Sequence, residues 1–286
     1  MERYFYHIIF LLVFGSCKII DPPEKIPSYI YIEDIEVSTS PNEGSSNDNI
    51  IDAWIFVNGT HIGTYELPAK IPVIADGAYE LEVFAGIKRS GLTALRSIYP
   101  FYNSYQTTLQ SNPNTIDTIL PVVTYKDIAN IWVEDFEDPG VKFTSDTISD
   151  TVIQITTIPA EVREGNGSGK IVLNSTQTLF QAQTNEPDFN NFKKGGNPIY
   201  VEIEYNTNYP LTIGLLHGDD FTSVLFPEEL LTLKPTFGVW KKTYVDFTEI
   251  VSTQQAATKY QIYLSSPNYG TDNIEMFIDN IKVIYF

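Results

Sequence analysis

DAWIFVNGTHIGTYELPAKIPVIADGAYELEV, residues 52–83, decides the fold class. Two runs rich in β-branched and aromatic residues flank Asn58-Gly59, a dipeptide that tolerates positive φ at both central positions of a tight hairpin turn. Asp76-Gly77 repeats the device, and beyond it Tyr79, Leu81 and Val83 alternate with glutamates, which puts the three apolar side chains on one face of a strand. An amphipathic helix needs apolar residues three and four apart. The period here is two, so the stretch is predicted to be consecutive hairpins.

The flanks read the same way. YIYIEDIEVST (29–39) alternates, SPNEGSSNDN (40–49) is a polar loop, and TALRSIYPF (93–101), SYQTTLQ (104–110) and TIDTILPVVTY (115–125) are further strands with SNPN as a turn. Residues 29–126 are therefore expected to hold about seven strands in one small sandwich. A second unit is expected over residues 130–286. It opens on IWVEDFEDPG (131–140) and closes on IEMFIDNIKVIYF (274–286), strands that would be neighbours in a jelly roll. Between them TVIQITTIP, GSGKIVLN, QTLFQAQTN, PIYVEIEYNT, LTIGLLHG, WKKTYVDFTEI and KYQIYLSS are evenly spaced short strands, and PEELLTLKP (227–235) reads as one helical turn. The expected architecture is all-β, two consecutive β-sandwich domains that fold independently, the second a jelly roll.

Composition agrees. Hydrophobic residues make up 43% and charged residues 19%, values of folded rather than disordered chains, and Tyr and Phe abound. With 36 acidic against 18 basic side chains the net charge of −18 repels nucleic-acid backbones, so no nucleic-acid partner is expected. The single cysteine, Cys17, excludes disulfides within the chain.

MERYFYHIIFLLVFGSCK (1–18) is a secretory signal: a thin basic start, an apolar run too short to span a bilayer, then Gly15 and Ser16 before Cys17. It resembles a Bacteroidota-type bacterial lipoprotein signal. That resemblance implies cleavage after residue 16, lipid on Cys17 and anchorage of the chain at the cell envelope, on the outer membrane. Residues 17–28, with three prolines in KIIDPPEKIPS, are then a spacer.

The first unit, on WIFVNGTHIGTYELPAKIPVIADGAYELEV, resembles small Ig-like or PEGA-like sandwiches of secreted proteins, which implies a scaffold or interaction module. The second, on EDFED (134–138), VREGNGSGKIVL (162–173), WKKTYVDF (240–247) and FIDNIKV (277–283), resembles carbohydrate-binding modules of the galactose-binding-like jelly-roll type. The same fold serves lectins, adhesion domains and enzyme appendages, so it does not by itself fix a function.

Ligand candidates follow from side-chain chemistry. Tyr205, Tyr209, Phe221, Trp240 and Tyr269 fall at strand ends or loops, where flat rings stack on sugars, with His217, Asp219 and Asp220 as polar partners near the same loop. Trp54 and Trp132 are expected in cores. In the resembling modules an acid of the first strand and the acid of the closing strand bind a structural calcium, which maps to Glu134 or Glu137 and Asp279; the other reading is that Asp279 and Asn280 hydrogen-bond loops. Calcium is the one cofactor that this resemblance implies. Asp-Thr-Ile at 117–119 and 146–148 and Asp-Thr-Val at 150–152 match a secreted-protein O-glycosylation pattern at Thr118, Thr147 and Thr151.

Gly165, Gly167 and Gly169 lack the spacing of a phosphate loop, and Gly167-Ser168-Gly169 is not a nucleophile elbow. No catalytic residue is assigned. The expected function is a non-catalytic envelope-anchored binding module whose ligand is a glycan. The alternatives are an assembly subunit that binds another envelope protein, and a small polysaccharide hydrolase or lyase, whose carboxylates need only meet in space.

Overall fold

The computed structural model describes residues 24–185, 189–219 and 225–286. The signal stretch with Cys17, and also Asp220 and Phe221, lie outside the described residues.

The chain is all-β, in two sandwiches. The first holds β1 (Ser28–Ile32), β2 (Glu36–Ser38), β3 (Asp52–Val57), β4 (Thr60–Glu66), β5 (Ala69–Val73), β6 (Ala78–Lys88), β7 (Arg96–Ile98), β8 (Tyr105–Gln110), β9 (Ile116–Ile119) and β10 (Val122–Thr124). One sheet runs β5–β1–β9, a second β4–β3–β6 with β7 and β8 both on β6, and β2 pairs with β10. Asn58 and Gly59 take φ of 48° and 74°, the left-handed pair that the β3–β4 hairpin requires. Tyr79, Leu81 and Val83 are buried on one face of β6. The count exceeds seven because β2, β7 and β10 are three-residue strands, and Pro121, which cannot donate to a ladder, separates β9 from β10.

The second sandwich holds β11 (Asn130–Glu134), β12 (Phe143–Ser145), β13 (Gln154–Thr156), β14 (Ser168–Leu173), β15 (Leu179–Thr184), β16 (Ile199–Thr207), β17 (Leu211–Gly218), β18 (Phe226–Leu233), β19 (Lys241–Asp246), the short helix α1 (Thr248–Thr253), β20 (Lys259–Pro267) and β21 (Ile274–Tyr285). Its sheets are β13–β14–β21–β16–β19, with β11 also on β21, and β12–β15–β20–β17–β18. The opening and closing strands are antiparallel neighbours, Asn130 opposite Tyr285. PEELLTLKP is not a helical turn. Most of it is edge strand β18, because pairing with β17 outweighs the local helix preference of Glu and Leu.

The two cores are unequal. Ile171, Phe180, Ile203, Ile213, Ile262 and Ile278 belong to a core built wholly from the second half. The first core, with Ile30, Ile55, Leu81 and Tyr99, also takes in Tyr200, Tyr244 and Ile284 from the second. Those three project from the outer face of the six-stranded sheet, which the first sandwich covers. Fully buried Glu202 accepts the Tyr99 hydroxyl at 2.6 Å and the Tyr125 hydroxyl at 2.9 Å, and pairs with Lys242 at 2.6 Å. Lys282 donates to the Ser45 carbonyl at 2.6 Å and to the Tyr125 hydroxyl at 3.2 Å. The polar loop 40–49 is thus a clamp: Asn47 accepts from Lys242, and Asn49 donates to the Lys242 carbonyl at 2.9 Å. Burial alone would raise the Glu202 pKa, but Lys242 and Lys282 more than offset it, so the carboxylate sits below its ordinary range.

Candidate functional site

With that sheet face covered, aromatic residues can meet a ligand at the ends of the second sandwich. Strand direction sorts the sequence-derived candidates. Tyr209, Trp240 and Tyr269 lie on loops at one end, beside the ends of β16, β19 and β20. His217 and Asp219 lie at the other end, because β17 carries the chain from Leu211 to Gly218, about 20 Å, between Tyr209 and Asp219. His217 is mostly buried against Phe226, with ring centroids 6.1 Å apart, and lies 3.7 Å from the Glu228 carboxylate. His217 and Asp219 are therefore not polar partners of Tyr209 and Tyr269. Tyr205 also differs from expectation: it is 9% exposed and packs in the core, too deep to offer a free ring face.

The open end is a built surface. Tyr269 is 87% exposed and Phe237, which the sequence reading did not single out, 76%. Each rides on a turn fixed from beneath by a buried asparagine. Asn268 donates to the carbonyls of Asn174 and Gln177, both at 2.8 Å, and accepts from the amides of Gly270 and Thr271. Asn206 accepts the Thr236 hydroxyl at 3.2 Å and the Gly238 amide at 2.9 Å, while the amides of Thr236 and Phe237 donate to the Thr207 carbonyl. Asn208 joins the turns, donating to the Asn273 carbonyl and accepting from the Glu275 amide, each at 2.9 Å. Since β21, β16 and β19 are adjacent, the three turns stand side by side across about 10 Å. The available sequence signal for Phe237 was Thr-Phe-Gly before a strand; Gly238 at φ 91° permits the turn.

Next to this rim, Trp240 lines a cleft of about 490 Å³ with Asp48, Lys88, Arg163, Tyr205 and Thr243. A second cleft of about 250 Å³ shares Gly91, Tyr205, Lys241 and Thr243 and adds Leu92, Leu231 and Lys234. Together they run between edge strands β18 and β19 and under the loop after β6. That loop is strapped down by the Ser90 amide on the Tyr244 carbonyl at 2.7 Å.

The remaining candidates are dispersed. Glu134 accepts the amides of Phe136 and Lys142. Glu137 accepts from Asn166 and Gly167 across the EGNGSGK loop, and these bonds overcome burial to hold its pKa below the ordinary range. Asp279 accepts the Ser168 hydroxyl at 2.6 Å and the Asn280 amide at 2.8 Å, and burial raises its pKa to about 7. Each carboxylate is engaged by its own loop donors. Among the described residues no cluster of three or more His, Cys, Asp or Glu side chains is placed to hold a metal ion. Thr118 and Thr147 are exposed, and Thr151 is half-buried.

Trp132 packs edge-on against Phe143 and Phe189. Trp54 departs from its expected core position: it alternates with buried Ala53 and Ile55, faces outward on β3 and stacks on His61 at 5.4 Å.

No family model matches the chain, and no curated protein does. Solved structures similar to it are β-sandwich carbohydrate-binding modules. The second family 22 module of Paenibacillus barcinonensis Xyn10C, a xylan-binding domain, is 14% identical over 54% of this chain and 99% of that one, with a TM-score of 0.42. The tandem of both amino-terminal modules of the same protein is 13% identical over 85% of this chain and 75% of that one, TM-score 0.43. A module of the β-sandwich superfamily described for promiscuous specificity is 13% identical over 91% and 98%, TM-score 0.41.

Proposed function

We propose that the chain is a non-catalytic glycan-binding protein of the cell envelope, held by lipid on Cys17, which grips its ligand at the aromatic end of the second sandwich. One observation carries the reading: Phe237 and Tyr269 project into solvent on turns that buried asparagines already fix. Large exposed rings on preorganised turns bind without a heavy ordering cost, and their faces suit the apolar face of a pyranose. A shallow rim supports weak affinity, on the order of 10⁻⁴ to 10⁻⁶ M.

The test is affinity electrophoresis of the mature chain against a glycan panel. Phe237→Ala and Tyr269→Ala are expected to weaken binding at least fivefold with unchanged urea midpoints, since neither ring is packed. Retention by no glycan would refute the reading. Cys17→Ser is expected to abolish fatty-acid labelling and release the chain from membranes; unchanged partition would refute the anchor.

A second reading, an assembly subunit docked on another envelope protein, is favoured by one feature. Ile116 on β9, Leu120 in the link after it and Val122 on β10 are exposed, an apolar edge of the kind that protein partners cover.

A further inference from the structure

In a chain with twice as many acidic as basic side chains, five cations gather around the clefts beside Trp240: Lys88, Arg163, Lys234, Lys241 and Lys242. Two of them are spent, Arg163 on Glu204 and Lys242 on Glu202. The Lys234 and Lys241 ammonium groups enter no salt bridge among the described residues, and Lys88 lies in the field of the buried Asp52 carboxylate, which pairs with Arg96. Asp48 is the one carboxylate lining either cleft.

A second, independent feature lies between these lysines. Thr243 is 6% exposed, and its hydroxyl has no hydrogen-bond partner although it lines both clefts. A buried hydroxyl left unpaired carries a desolvation cost that a ligand oxygen would relieve. Gly91 stands opposite, where a Cβ would lie 3.5 Å from that hydroxyl, and its φ of 67° keeps the position glycine. The passage is thus narrow, polar at its base and positive at its walls.

We infer that the glycan taken by this site is an acidic one, whose carboxylate or sulfate groups lie among Lys88, Lys234 and Lys241 against the Thr243 hydroxyl while sugar rings stack on the rim at Trp240 and Phe237. The inference rests on the glycan-binding reading and names its ligand class. Uncharged chains would gain nothing from the lysines, and the field of the rest of the molecule repels anions, so the local reversal of sign is what selects.

The test uses the mature chain with three soluble probes: polygalacturonate, its methyl ester and chondroitin sulfate. Polygalacturonate binding is expected to exceed ester binding by tenfold or more and to weaken when salt rises from 50 to 500 mM, on the order of one Debye screening regime to another. Lys241→Gln and Lys234→Gln should each lose about two- to fivefold on the acidic probe and nothing on the ester. Thr243→Val should weaken acidic-probe binding, whereas Lys70→Gln, on β5 of the first sandwich, should not. Preference for chondroitin sulfate over polygalacturonate, with the same lysine dependence, assigns sulfate as the anion and supports the inference. Equal binding of polygalacturonate and its ester, dependent on Phe237 but not on the lysines, overturns the acidic class and leaves the glycan reading standing. Binding of none of these probes or of any panel glycan overturns both.

Discussion

Glu202→Gln is expected to destabilise the two-sandwich chain by about 3–5 kcal/mol, the cost of removing one partner from a buried ion pair. The geometry sets the size. Glu202 is fully buried, accepts two tyrosine hydroxyls, and is the carboxylate paired with Lys242, with Lys282 alongside. Glutamine keeps the shape and one acceptor, but it turns an amide towards Lys242 and leaves two buried ammonium groups without their anion. The Lys282 pKa, already pushed down to about 8 by burial despite Glu202, should fall further. In urea, with an m-value of roughly 3 kcal/mol/M, the midpoint should drop by about 1 to 1.7 M at unchanged m. Replacing Glu202, Lys242 and Lys282 together by Met should recover most of the loss, because no unpaired charge remains. A Glu202→Gln midpoint within about 0.2 M of the parent would show that water reaches the network and that the covered face is not dry.

Two further outcomes follow from the same interior. Asp279, at about 7, holds a proton in the folded chain that the unfolded chain releases above about pH 4, so its contribution is present at low pH and is lost as pH rises through 7. Asp48, raised by burial to about 6, acts in the same direction, and urea midpoints should therefore rise from pH 7 to pH 5; Asp279→Asn should flatten that slope, and an unchanged slope would refute the assignment. For the separated halves, a fragment of residues 130–286 should unfold cooperatively, since its core draws nothing from the first half, whereas a fragment of residues 24–126, lacking Tyr200, Tyr244 and Ile284, should bind a hydrophobic dye and lose its near-ultraviolet dichroism. Equal behaviour of the two fragments would refute that asymmetry.

Much of the fold was legible in the chain because strand formation here is local. The Asn58-Gly59 turn, the alternation of Tyr79, Leu81 and Val83 and the pairing of opening and closing strands depend on backbone sterics and on a period of two, both of which the sequence carries. PEELLTLKP was misread because its own preference is helical and only the neighbouring β17 makes it a strand. The rim was half legible: Tyr209, Trp240 and Tyr269 could be named from loop composition, but Phe237 could not be ranked above the other phenylalanines, nor Tyr205 recognised as core.

What the sequence determined by itself is the all-β class, the hairpins, the acidic balance and the signal-like start with Cys17, each a property of neighbouring residues or of totals. Only the tertiary structure decided which face of the second sandwich is closed, that His217 and Tyr209 stand at opposite ends, and that Lys88, Lys234 and Lys241 line adjoining clefts around a buried hydroxyl. Those relations join residues up to 237 positions apart, as Lys282 joins Ser45. They are set by sheet order and by the docking of one sandwich on the other, and no periodicity along the chain encodes either.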